Sequence, residues 1–408
     1  MAQLPKGETA PSDGLIPLVF DSSKNSFHAY VHIPYCLTRC GYCDFNTYTS
    51  TELGDTSQAD YFELVLKEID FSKSVLEKSG VPVRKLSSVF FGGGTPTLLP
   101  VQDLVSILKK LVEAFGIETG SEITTEANPD SVDQDYLKAL KDAGFTRVSF
   151  GMQSAVPHVL KVLERTHKPE NVSLNVQRAK GVGLQTSVDL IYGTPGESLA
   201  DWRKSLEAAI AMDTDHISAY SLIVEPGTKL ARQIKSGEVS SPDDALHADM
   251  YELAEELLTQ AGFANYEVSN WAKTQDLESK HNVAYWESKD WWGYGPGAHS
   301  HVGGVRWWNV KHPAAYAERI HNEVSPALER ELVDQENRHV EKVMLEARLA
   351  KGMDVSWLKD NGFGEAKALS ELIADGLVDG KALIAGKLVL TLKGRLLADL
   401  VVRRLLGF

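Results

Sequence analysis

Short apolar runs that alternate with helical patterns constrain the fold more than any other feature of the sequence. Six runs have the length and the β-branched and aromatic content of strands: Phe27–Ile33, Leu86–Phe91, Glu122–Glu126, Arg147–Gly151, Gln185–Tyr192 and His216–Val224,. Helical patterns such as Val101–Phe115 separate them. Strands that alternate with helices form a parallel sheet, and six units are too few for a closed eight-stranded barrel. The sequence therefore predicts an α/β fold, a partial (β/α)6 TIM-like barrel that is open on one side.

Glycines and polar side chains follow the predicted strands, where α/β proteins place their active sites. The second strand ends in Gly92-Gly93-Gly94-Thr95-Pro96, which has more glycines than a tight turn needs and lets the backbone approach a ligand,. Polar residues in or after the later strands are Glu126, Gln153, Arg165 and Asp189. Any one of them alone is equally compatible with a structural role. Their common position predicts a ligand site at this end of the barrel.

Cys36, Cys40 and Cys43 lie within eight consecutive residues after the first predicted strand, and the 408-residue chain has no other cysteine. Structural disulfides come in even numbers, and structural zinc sites use four ligands. A [4Fe–4S] cluster is normally held by four thiolates, so three would leave one iron open to a small chelating cofactor. The spacing therefore predicts an iron–sulfur cluster, and free thiols are expected in a reducing cytoplasm.

The overall composition argues against several classes of protein. The chain carries a net charge of −14, whereas broad contact with nucleic acid needs a basic surface,. No apolar run is long enough for a transmembrane segment, and Leu15–Phe20 is too short for a signal peptide,. We therefore expect a cytoplasmic protein that binds no nucleic acid, with a mobile N-terminal tail over residues 1–26 and the barrel over residues 27–228,.

The regular alternation ends near Thr228, and two further regions follow. Residues 229–311 are predicted to form a barrel extension with loops rich in Trp, Gly and His. Residues 312–408 are predicted to be mostly helical, with helices Glu336–Leu349, Val355–Asp360, Glu365–Leu377 and Lys393–Leu406 and a hairpin-like Ala382–Leu392. This order is typical of a winged-helix unit, but Gly364–Asp379, where a recognition helix would lie, has more acidic than basic residues,. We therefore predict a winged-helix-like cover domain that packs on the barrel.

The spacing C-x3-C-x2-C after the first strand of a partial barrel resembles the radical S-adenosylmethionine (SAM) superfamily. The resemblance implies that the three cysteines hold three irons of a [4Fe–4S] cluster, while the amino and carboxylate groups of SAM chelate the fourth. It also implies contacts to the cluster or SAM from Tyr30, Tyr42, Gly93, Gly94, Thr95, Glu126, Gln153, Arg165 and Asp189. His299 is implied to lie near the adenosyl group. In the superfamily, an electron from the cluster breaks a carbon–sulfur bond of SAM and produces a 5′-deoxyadenosyl radical.

Motifs along the chain from about Phe27 resemble the oxygen-independent coproporphyrinogen III oxidases, and in particular the shorter, heme-chaperone branch of that family. The motifs are Y-V-H-I-P-Y-C, F-F-G-G-G-T-P-T, E-A-N-P, R-V-S-F-G-M-Q-S, D-L-I-Y-G-T-P-G-E, E-P-G-T, N-Y-E-V-S-N-W-A, H-N-V-A-Y-W and G-Y-G-P-G-A-H-S. The decarboxylating oxidases, which act in porphyrin biosynthesis, have a further cysteine at the position of Phe45 and a longer N-terminal extension. Both departures favour a heme chaperone over a coproporphyrinogen decarboxylase. We therefore predict no catalytic residue and expect the decarboxylase activity to be absent.

The motif H-N-V-A-Y-W resembles the one associated with heme binding in the chaperone branch. His281 would supply an imidazole to heme iron, with Tyr285 and Trp286 against the porphyrin, and His299 and His301 are rival ligands,. The implied partners are heme, a heme-acceptor protein and a reductant such as a flavodoxin or ferredoxin, with the chain a monomer or a weak dimer. A third hypothesis, a radical SAM enzyme that acts on tRNA, is disfavoured by the acidic charge,.

Overall fold

Six parallel strands form the centre of the fold, as the sequence predicts. The computed structural model describes residues 6–50, 52–53 and 56–408. In chain order its strands are β1 (Glu8–Thr9), β2 (Phe27–Ile33), β3 (Glu52–Leu53), β4 (Thr56–Ser57), β5 (Leu86–Gly93), β6 (Ile117–Ala127), β7 (Arg147–Gln153), β8 (Gln185–Tyr192), β9 (His216–Ser221), β10 (Ala264–Asn265), β11 (Asn270–Ala272), β12 (Asp290–Tyr294), β13 (His299–Val302), β14 (Val305–Asn309), β15 (Ala327–Leu332), β16 (Met353–Asp354) and β17 (Lys387–Leu388). Its helices are α1 (Tyr61–Lys78), α2 (Val101–Phe115), α3 (Gln134–Asp142), α4 (Pro157–Val162), α5 (Pro169–Gly181), α6 (Leu199–Ala211), α7 (Lys229–Ser236), α8 (Asp244–Gln260), α9 (Lys280–Trp286), α10 (Pro313–His321), α11 (Gln335–Glu346), α12 (Val355–Asp360), α13 (Ala366–Ala374), α14 (Gly380–Ile384), α15 (Leu392–Leu396) and α16 (Ala398–Leu406).

The central strands β2, β5, β6, β7, β8 and β9 pair in parallel in that order. β12 continues the sheet in parallel beyond β2, and β13, β14, β15 and β1 follow as antiparallel neighbours. β11 and β10 extend the opposite edge beyond β9. The order of the described strands starts at β1 and ends at β10 without closing, so the sheet is the open, partial barrel that the sequence predicts.

Local sequence patterns explain how the elements of the barrel are buried. All of β7 except Gly151 is buried, as expected for a parallel strand that is covered on both faces,. α2 buries Leu104, Leu108 and their neighbours in the main core along one side of the helix,. None of the helices in the described ranges is both long and apolar enough to cross a membrane.

The predicted extension, residues 229–311, adds to both edges of the central sheet. The hairpin of β10 and β11 pairs with β9 at one edge, and β12 to β14 lie beyond β2 at the other. Between these two groups, the short helix α9 follows Ser279, whose side chain accepts a hydrogen bond from Asn282 N and caps the helix,. The extension therefore widens the open sheet at both edges, and α9 lies near the first residues of the central strands, where Ser88 of β5 contacts His281.

The separate C-terminal core begins later than the predicted boundary at residue 312. Tyr316 and Ile320 of α10 and Ala327 of β15 pack in the main core, and β15 pairs with β14. A second core contains side chains from Val343 to Leu405. The boundary therefore lies close to the start of α11, because the apolar side of α10 is buried with the barrel and not with the helices that follow.

The predicted hairpin over residues 382–392 is wrong. Residues Gly380–Ile384 form α14, which Asp379 caps by accepting a hydrogen bond from Ala382 N,. β17 then pairs antiparallel with β16, and Val378 forms an isolated bridge with Leu390. The small sheet thus takes its strands from distant parts of a mostly helical domain.

The N-terminal segment is not a free tail over residues 6–26, the part that the structure describes. β1 pairs antiparallel with β15, and Ile16 is buried in the main core. Arg84 Nη1 donates a hydrogen bond of 2.7 Å to the carbonyl of Ser22. The prediction of mobility is wrong for this segment, because the edge strand β15 offers unpaired backbone groups to it. The predicted tail also included residues 1–5, which lie outside the described ranges.

Candidate functional site

A cavity of about 580 Å³ runs through the barrel and collects nearly all of the predicted site residues. Its wall includes the three cysteines and the residues Tyr30, Tyr42, Gly93, Gly94, Thr95, Glu126, Gln153, Arg165, Asp189 and His281. The cysteine loop lies at the carboxyl ends of the strands, and His281 lies near their amino ends. We call these two parts of the cavity the carboxyl end and the amino end.

The base of the cysteine loop is held by backbone and amide hydrogen bonds. Cys36 N donates to the carbonyl of Tyr48 at 2.9 Å, and Tyr48 N donates to the carbonyl of Pro34 at 2.7 Å. Asn46 Nδ2 donates to the carbonyls of Pro296 at 3.0 Å and Lys311 at 2.8 Å. The motif G-Y-G-P-G-A-H-S thus contacts the base of the cysteine loop, because its Pro296 carbonyl accepts one of the hydrogen bonds from Asn46.

Burial raises the pKa of the Cys36 and Cys43 thiols and favours their neutral form until a cation binds,. The pKa of Cys36 is raised to about 11. Burial is the main cause, the neighbouring thiols act in the same direction, and a hydrogen bond from Thr95 opposes the shift. Arg165 Nη1 lies 3.7 Å from Cys40 Sγ and donates to it. Metal binding deprotonates such thiols.

The position of the three thiols on the cavity wall is compatible with a cluster. Among the described residues no three His, Cys, Asp or Glu side chains converge on one metal position. In a [4Fe–4S] cube each thiolate binds a different iron, so its ligands surround a volume and do not meet at a point. Cys36, Cys40 and Cys43 are all only partly buried and line the cavity, so the loop fits this requirement.

The glycine loop packs directly against the residues that precede the cysteines. A Cβ on Gly94 would lie 2.5 Å from the carbonyl oxygen of Tyr35, and one on Gly93 would lie 2.5 Å from the ring of His32. Gly94 N and Thr95 N donate to the carbonyls of Ile33 and Tyr35 at 2.7 and 2.8 Å. These glycines are therefore required for the close approach of two loops, and the same approach brings their backbone to the cavity wall.

Two partly buried carboxyl groups, Glu126 and Asp189, lie on the cavity wall between the ends. Burial raises the pKa of Glu126 to about 8, with a smaller contribution from the charge of Asp189. Glu126 Oε2 accepts a hydrogen bond from Gly93 N at 3.2 Å. Asp189 accepts one from Ser149 Oγ at 2.8 Å, and burial raises its pKa as well. A cationic or hydroxyl-bearing ligand would favour the ionised form of both groups.

Gln153 and Arg165 each have a buried polar atom without a hydrogen-bond partner among the described residues of the cavity wall. Gln153 has a φ of +58°, which is unfavourable for a residue with a side chain, and its Oε1 is buried without a partner among the described residues,. Arg165 Nη2 donates to the carbonyl of Gly151 at 3.0 Å, but its Nε is buried and unpaired. Buried polar atoms in native proteins are normally hydrogen-bonded. This part of the wall therefore fits a polar cofactor such as SAM.

His281 is held on both ring nitrogens at the amino end of the cavity. Its side chain is 1% exposed, with Nδ1 at 2.7 Å from Ser88 Oγ and Nε2 at 2.9 Å from the hydroxyl of Tyr285. The ring of Phe90 stacks on it at a centroid distance of 5.3 Å. Burial lowers the pKa of His281 well below its usual range, so the imidazole is neutral, which is the form that binds metals,.

His299 does not line the cavity, in contrast to the position that the resemblance implies for it. It lies on β13, which is separated from β2 by β12, and its exposed ring stacks on Trp308 at 6.0 Å. His301 is buried on the same strand, with Nδ1 at 3.3 Å from the carbonyl of Lys289. Of the three histidines predicted as heme ligands, His281 is thus the one in the cavity wall.

Several residues of the cavity wall were missed by the sequence analysis. They include Arg147, Ser187 and His216 near the amino end, and the buried Glu122 and Ser88 contact His281 of the wall from outside it. Glu122 and Arg147 form a buried ion pair at 3.0 Å, and Arg147 Nη2 donates to the carbonyl of Leu277 at 2.6 Å. The available signal was the period of two in each strand, since Glu122 and Glu126 of β6 point to the same face.

Three comparisons with known proteins show the family and the fold of the chain. Residues 30–209 match the model of the radical SAM superfamily. The chain is 44% identical over 382 residues to the heme chaperone HemW of Mycobacterium tuberculosis (strain ATCC 25618 / H37Rv). The aligned region covers 93% of this chain and 95% of the relative. It is 33% identical over 387 residues to the heme chaperone HemW of Bacillus subtilis (strain 168), which covers 93% and 99%.

Among solved structures, the fold resembles the coproporphyrinogen III oxidase HemN from Escherichia coli, described as a radical SAM enzyme. The TM-score is 0.78 at 24% sequence identity, over 93% of this chain and 90% of that chain. At this level of identity the likeness concerns the fold alone.

Proposed function

The chain belongs to the HemW family of the radical SAM superfamily, and on this basis we propose that it is a heme chaperone that binds heme and transfers it to an acceptor protein. The observation that carries the proposal is the identity of 44% with HemW over 93% of the chain. The similarity extends beyond the barrel, so it is not explained by a shared cofactor domain alone. Phe45, which replaces the further cysteine of the decarboxylating oxidases, is 59% exposed at the rim of the cavity.

The carboxyl end of the cavity is the proposed site of a [4Fe–4S] cluster and SAM. A cluster with one open iron chelates SAM and supplies an electron to its sulfonium group. Cys36, Cys40 and Cys43 would hold the cluster. Arg165, 3.7 Å from Cys40, is placed to pair with the carboxylate of a ligand on the open iron, and the unpaired Gln153 Oε1 is placed to accept a hydrogen bond,.

Glu126 would form an ion pair with the ammonium group of SAM or accept a hydrogen bond from its ribose hydroxyl. Its pKa, which burial raises to about 8, would fall when an ammonium or ribose hydroxyl binds,. The barrel walls keep these groups away from bulk water, which strengthens each polar contact. Binding therefore depends on side chains that are in position before the ligand arrives.

His281 is the proposed heme ligand at the amino end. Its neutral imidazole meets the chemical requirement, and Tyr30, Phe90 and Tyr285 provide aromatic surfaces around it,. Both of its nitrogens are already hydrogen-bonded, so heme binding requires one of these bonds to be exchanged. The proposed partners are a heme-acceptor protein and a reductant protein such as a flavodoxin or ferredoxin, in the cytoplasm.

The competing hypothesis is an oxygen-independent coproporphyrinogen III oxidase, and one experiment separates the two. The chain is reconstituted anaerobically with iron and sulfide, then tested in parallel with heme, with SAM plus reductant, and with coproporphyrinogen III. We expect saturable heme binding and no vinyl product. Formation of a vinyl product without stoichiometric heme binding would contradict the chaperone proposal.

A matched pair of variants tests the proposed heme ligand. His281→Ala removes the imidazole in the cavity, whereas His301→Ala removes a buried histidine outside the cavity wall. We expect the first to lose heme affinity by at least about tenfold and the second to keep it, since an axial ligand contributes more than a remote side chain. Equal affinity in both variants would reject His281 and leave the family assignment intact.

A further inference from the structure

A chain of hydrogen bonds runs through the amino end of the barrel and includes His281. Ser26 Oγ lies 2.8 Å from His28 Nε2, and His28 Nδ1 lies 2.7 Å from Ser88 Oγ. Ser88 Oγ also lies 2.7 Å from His281 Nδ1, and His281 Nε2 lies 2.9 Å from the hydroxyl of Tyr285. His28, Ser88 and His281 are nearly inaccessible to solvent, so these bonds are not in competition with water.

If the proton of Ser88 is used within the chain of hydrogen bonds, only two arrangements of the protons are possible. His28 and His281 are buried, and their ring nitrogens lie against hydroxyl groups, so each ring is neutral and carries one N–H,. The hydroxyl of Ser88 has one proton and faces two ring nitrogens, so it donates to one ring and accepts from the other. The protons therefore all point from His281 towards His28, or all from His28 towards His281.

The phenol at the end of the chain favours the first arrangement. A phenolic hydroxyl is more acidic than an aliphatic one, so Tyr285 is a better donor than acceptor. If Tyr285 donates to His281 Nε2, then His281 carries its proton on Nδ1 and donates to Ser88. Ser88 in turn donates to His28 Nδ1, and His28 Nε2 donates to Ser26. This arrangement leaves the lone pair on His281 Nε2, the atom that faces Tyr285.

We propose that Ser88 and His28 are positioning residues that hold His281 in the Nδ1–H tautomer, and that the Tyr285 hydroxyl occupies the site on Nε2 that heme iron takes. This proposal rests on the proposed function, because it assumes that His281 binds heme. Ligating histidines commonly donate their second ring N–H to a fixed acceptor, which orients the ring and raises its basicity. Here the acceptor is Ser88, and its own proton is fixed by His28.

The two ends of His281 should respond to mutation in opposite directions. Ser88→Ala removes the acceptor for Nδ1–H, and loss of such a partner typically weakens metal binding by about 10- to 100-fold. Tyr285→Phe keeps the ring but removes the hydroxyl that competes for Nε2, so heme should bind about three- to tenfold more tightly. Ser87→Ala is the matched control, because Ser87 is the adjacent serine on β5 and contacts Glu118 on the outer side.

The first experiment is a heme titration of the full-length variants, with the absorption and electron paramagnetic resonance spectra of the bound iron. We expect weaker binding and an altered axial-ligand signature for Ser88→Ala, tighter binding for Tyr285→Phe, and no change for Ser87→Ala. A loss of affinity in both Ser88→Ala and Tyr285→Phe would indicate structural support only and would overturn the proposal. If His281→Ala binds heme as the unchanged chain does, the proposed ligand itself has failed.

The second experiment needs no heme and tests the tautomer directly. In the heme-free chain labelled with 15N-histidine, the resonance that disappears in His281→Asn is assigned to His281. We expect its Nδ1 to be protonated and its Nε2 to be unprotonated, with the preference weakened in Ser88→Ala. A protonated Nε2 in the unchanged chain would overturn the inference whether or not His281 binds heme.

Discussion

The carboxyl end and the amino end of the barrel differ in how their polar groups are satisfied. At the carboxyl end, Gln153 Oε1 and Arg165 Nε are buried without partners among the described residues, and Leu37 of the cysteine loop is 76% exposed. At the amino end, Arg147 Nε is likewise unpaired, but the carboxylate of Glu122 pairs with Arg147, and both nitrogens of the candidate ligand His281 are hydrogen-bonded. The same cavity joins these two environments.

The difference indicates two modes of ligand binding. Unpaired polar groups around a preformed cavity gain hydrogen bonds when a ligand enters, so the carboxyl end is arranged for a cofactor that stays bound. At the amino end, both ring nitrogens of the candidate ligand His281 are already hydrogen-bonded, so any ligand that binds there must replace one of these bonds. A site of the second kind releases its ligand more readily, which suits a protein that passes heme on.

The largest expected effect tests whether the two ends act independently. Cys40→Ser replaces one of the three cluster thiolates, so we expect the reconstituted chain to lose its cluster absorption and most of its iron. Heme affinity should be retained, because His281 lies at the other end of the cavity. The exposed Thr38→Ala in the same loop is the control. Loss of heme binding in Cys40→Ser alone would show that the ends are coupled.

The buried ion pair between Glu122 and Arg147 should be the largest contribution of the amino end to the free energy of unfolding. Arg147→Met leaves the carboxylate of Glu122 uncompensated, which typically costs about 3–5 kcal/mol in the free energy of unfolding. Adding Glu122→Gln should recover part of the loss. Arg203→Met breaks an exposed pair with Glu207 and should cost less than about 1 kcal/mol,. Urea unfolding measures all four chains, and similar losses in the two arginine variants would contradict this account.

The carboxyl group of Glu68 should make the free energy of unfolding depend on pH. It is fully buried and accepts hydrogen bonds from Gly295 N at 2.7 Å and the hydroxyl of Tyr316 at 2.6 Å. Burial raises its pKa from 4.5 to about 7, so between these values the folded chain keeps a proton that the unfolded chain has lost. Stability from this group is present below pH 4.5 and is lost as the pH rises through 7.

The size of this effect is up to about 3 kcal/mol, since one pKa unit corresponds to about 1.4 kcal/mol. Glu68→Gln should therefore show a flatter dependence of the free energy of unfolding on pH between 5 and 8 than the unchanged chain. Glu63→Gln changes an exposed carboxyl group on the same helix and serves as control. Parallel curves for Glu68→Gln and the unchanged chain would disprove the linkage.

The smallest expected effect concerns the strained backbone at Gln153. Gln153→Gly should be about 1 kcal/mol more stable than Gln153→Ala, because glycine adopts a φ of +58° without steric cost,. Both variants lack the side chain that faces the cavity, so both should bind SAM about tenfold more weakly, as for one lost buried hydrogen bond. Thermal unfolding and SAM titration test the two effects separately. Unchanged SAM affinity in both would remove Gln153 from the site.

Local patterns predicted the barrel and most of its carboxyl end. Each central strand was found from its own apolar run, and Cys36, Glu126 and Asp189 were found because they lie after, at the end of and within those runs, respectively. The less successful predictions depend on distant partners. The N-terminal segment was expected to be mobile because nothing near it in sequence reveals its pairing with β15. The boundary at residue 312 failed because the composition of α10 does not show which core it joins.

The amino acid sequence alone determined that three cysteines and several polar residues at strand ends share one end of an open barrel. The periodicity of each run and the order of the runs along the chain can be read directly from the sequence. Only the tertiary structure decided what surrounds His281, since Ser88 lies 193 residues earlier in the chain. It likewise decided that Glu122 meets Arg147 and the N-terminus of α9. Such contacts form when sheet and helix pack together, and hydrogen bonds between distant residues leave no periodic signal in the sequence.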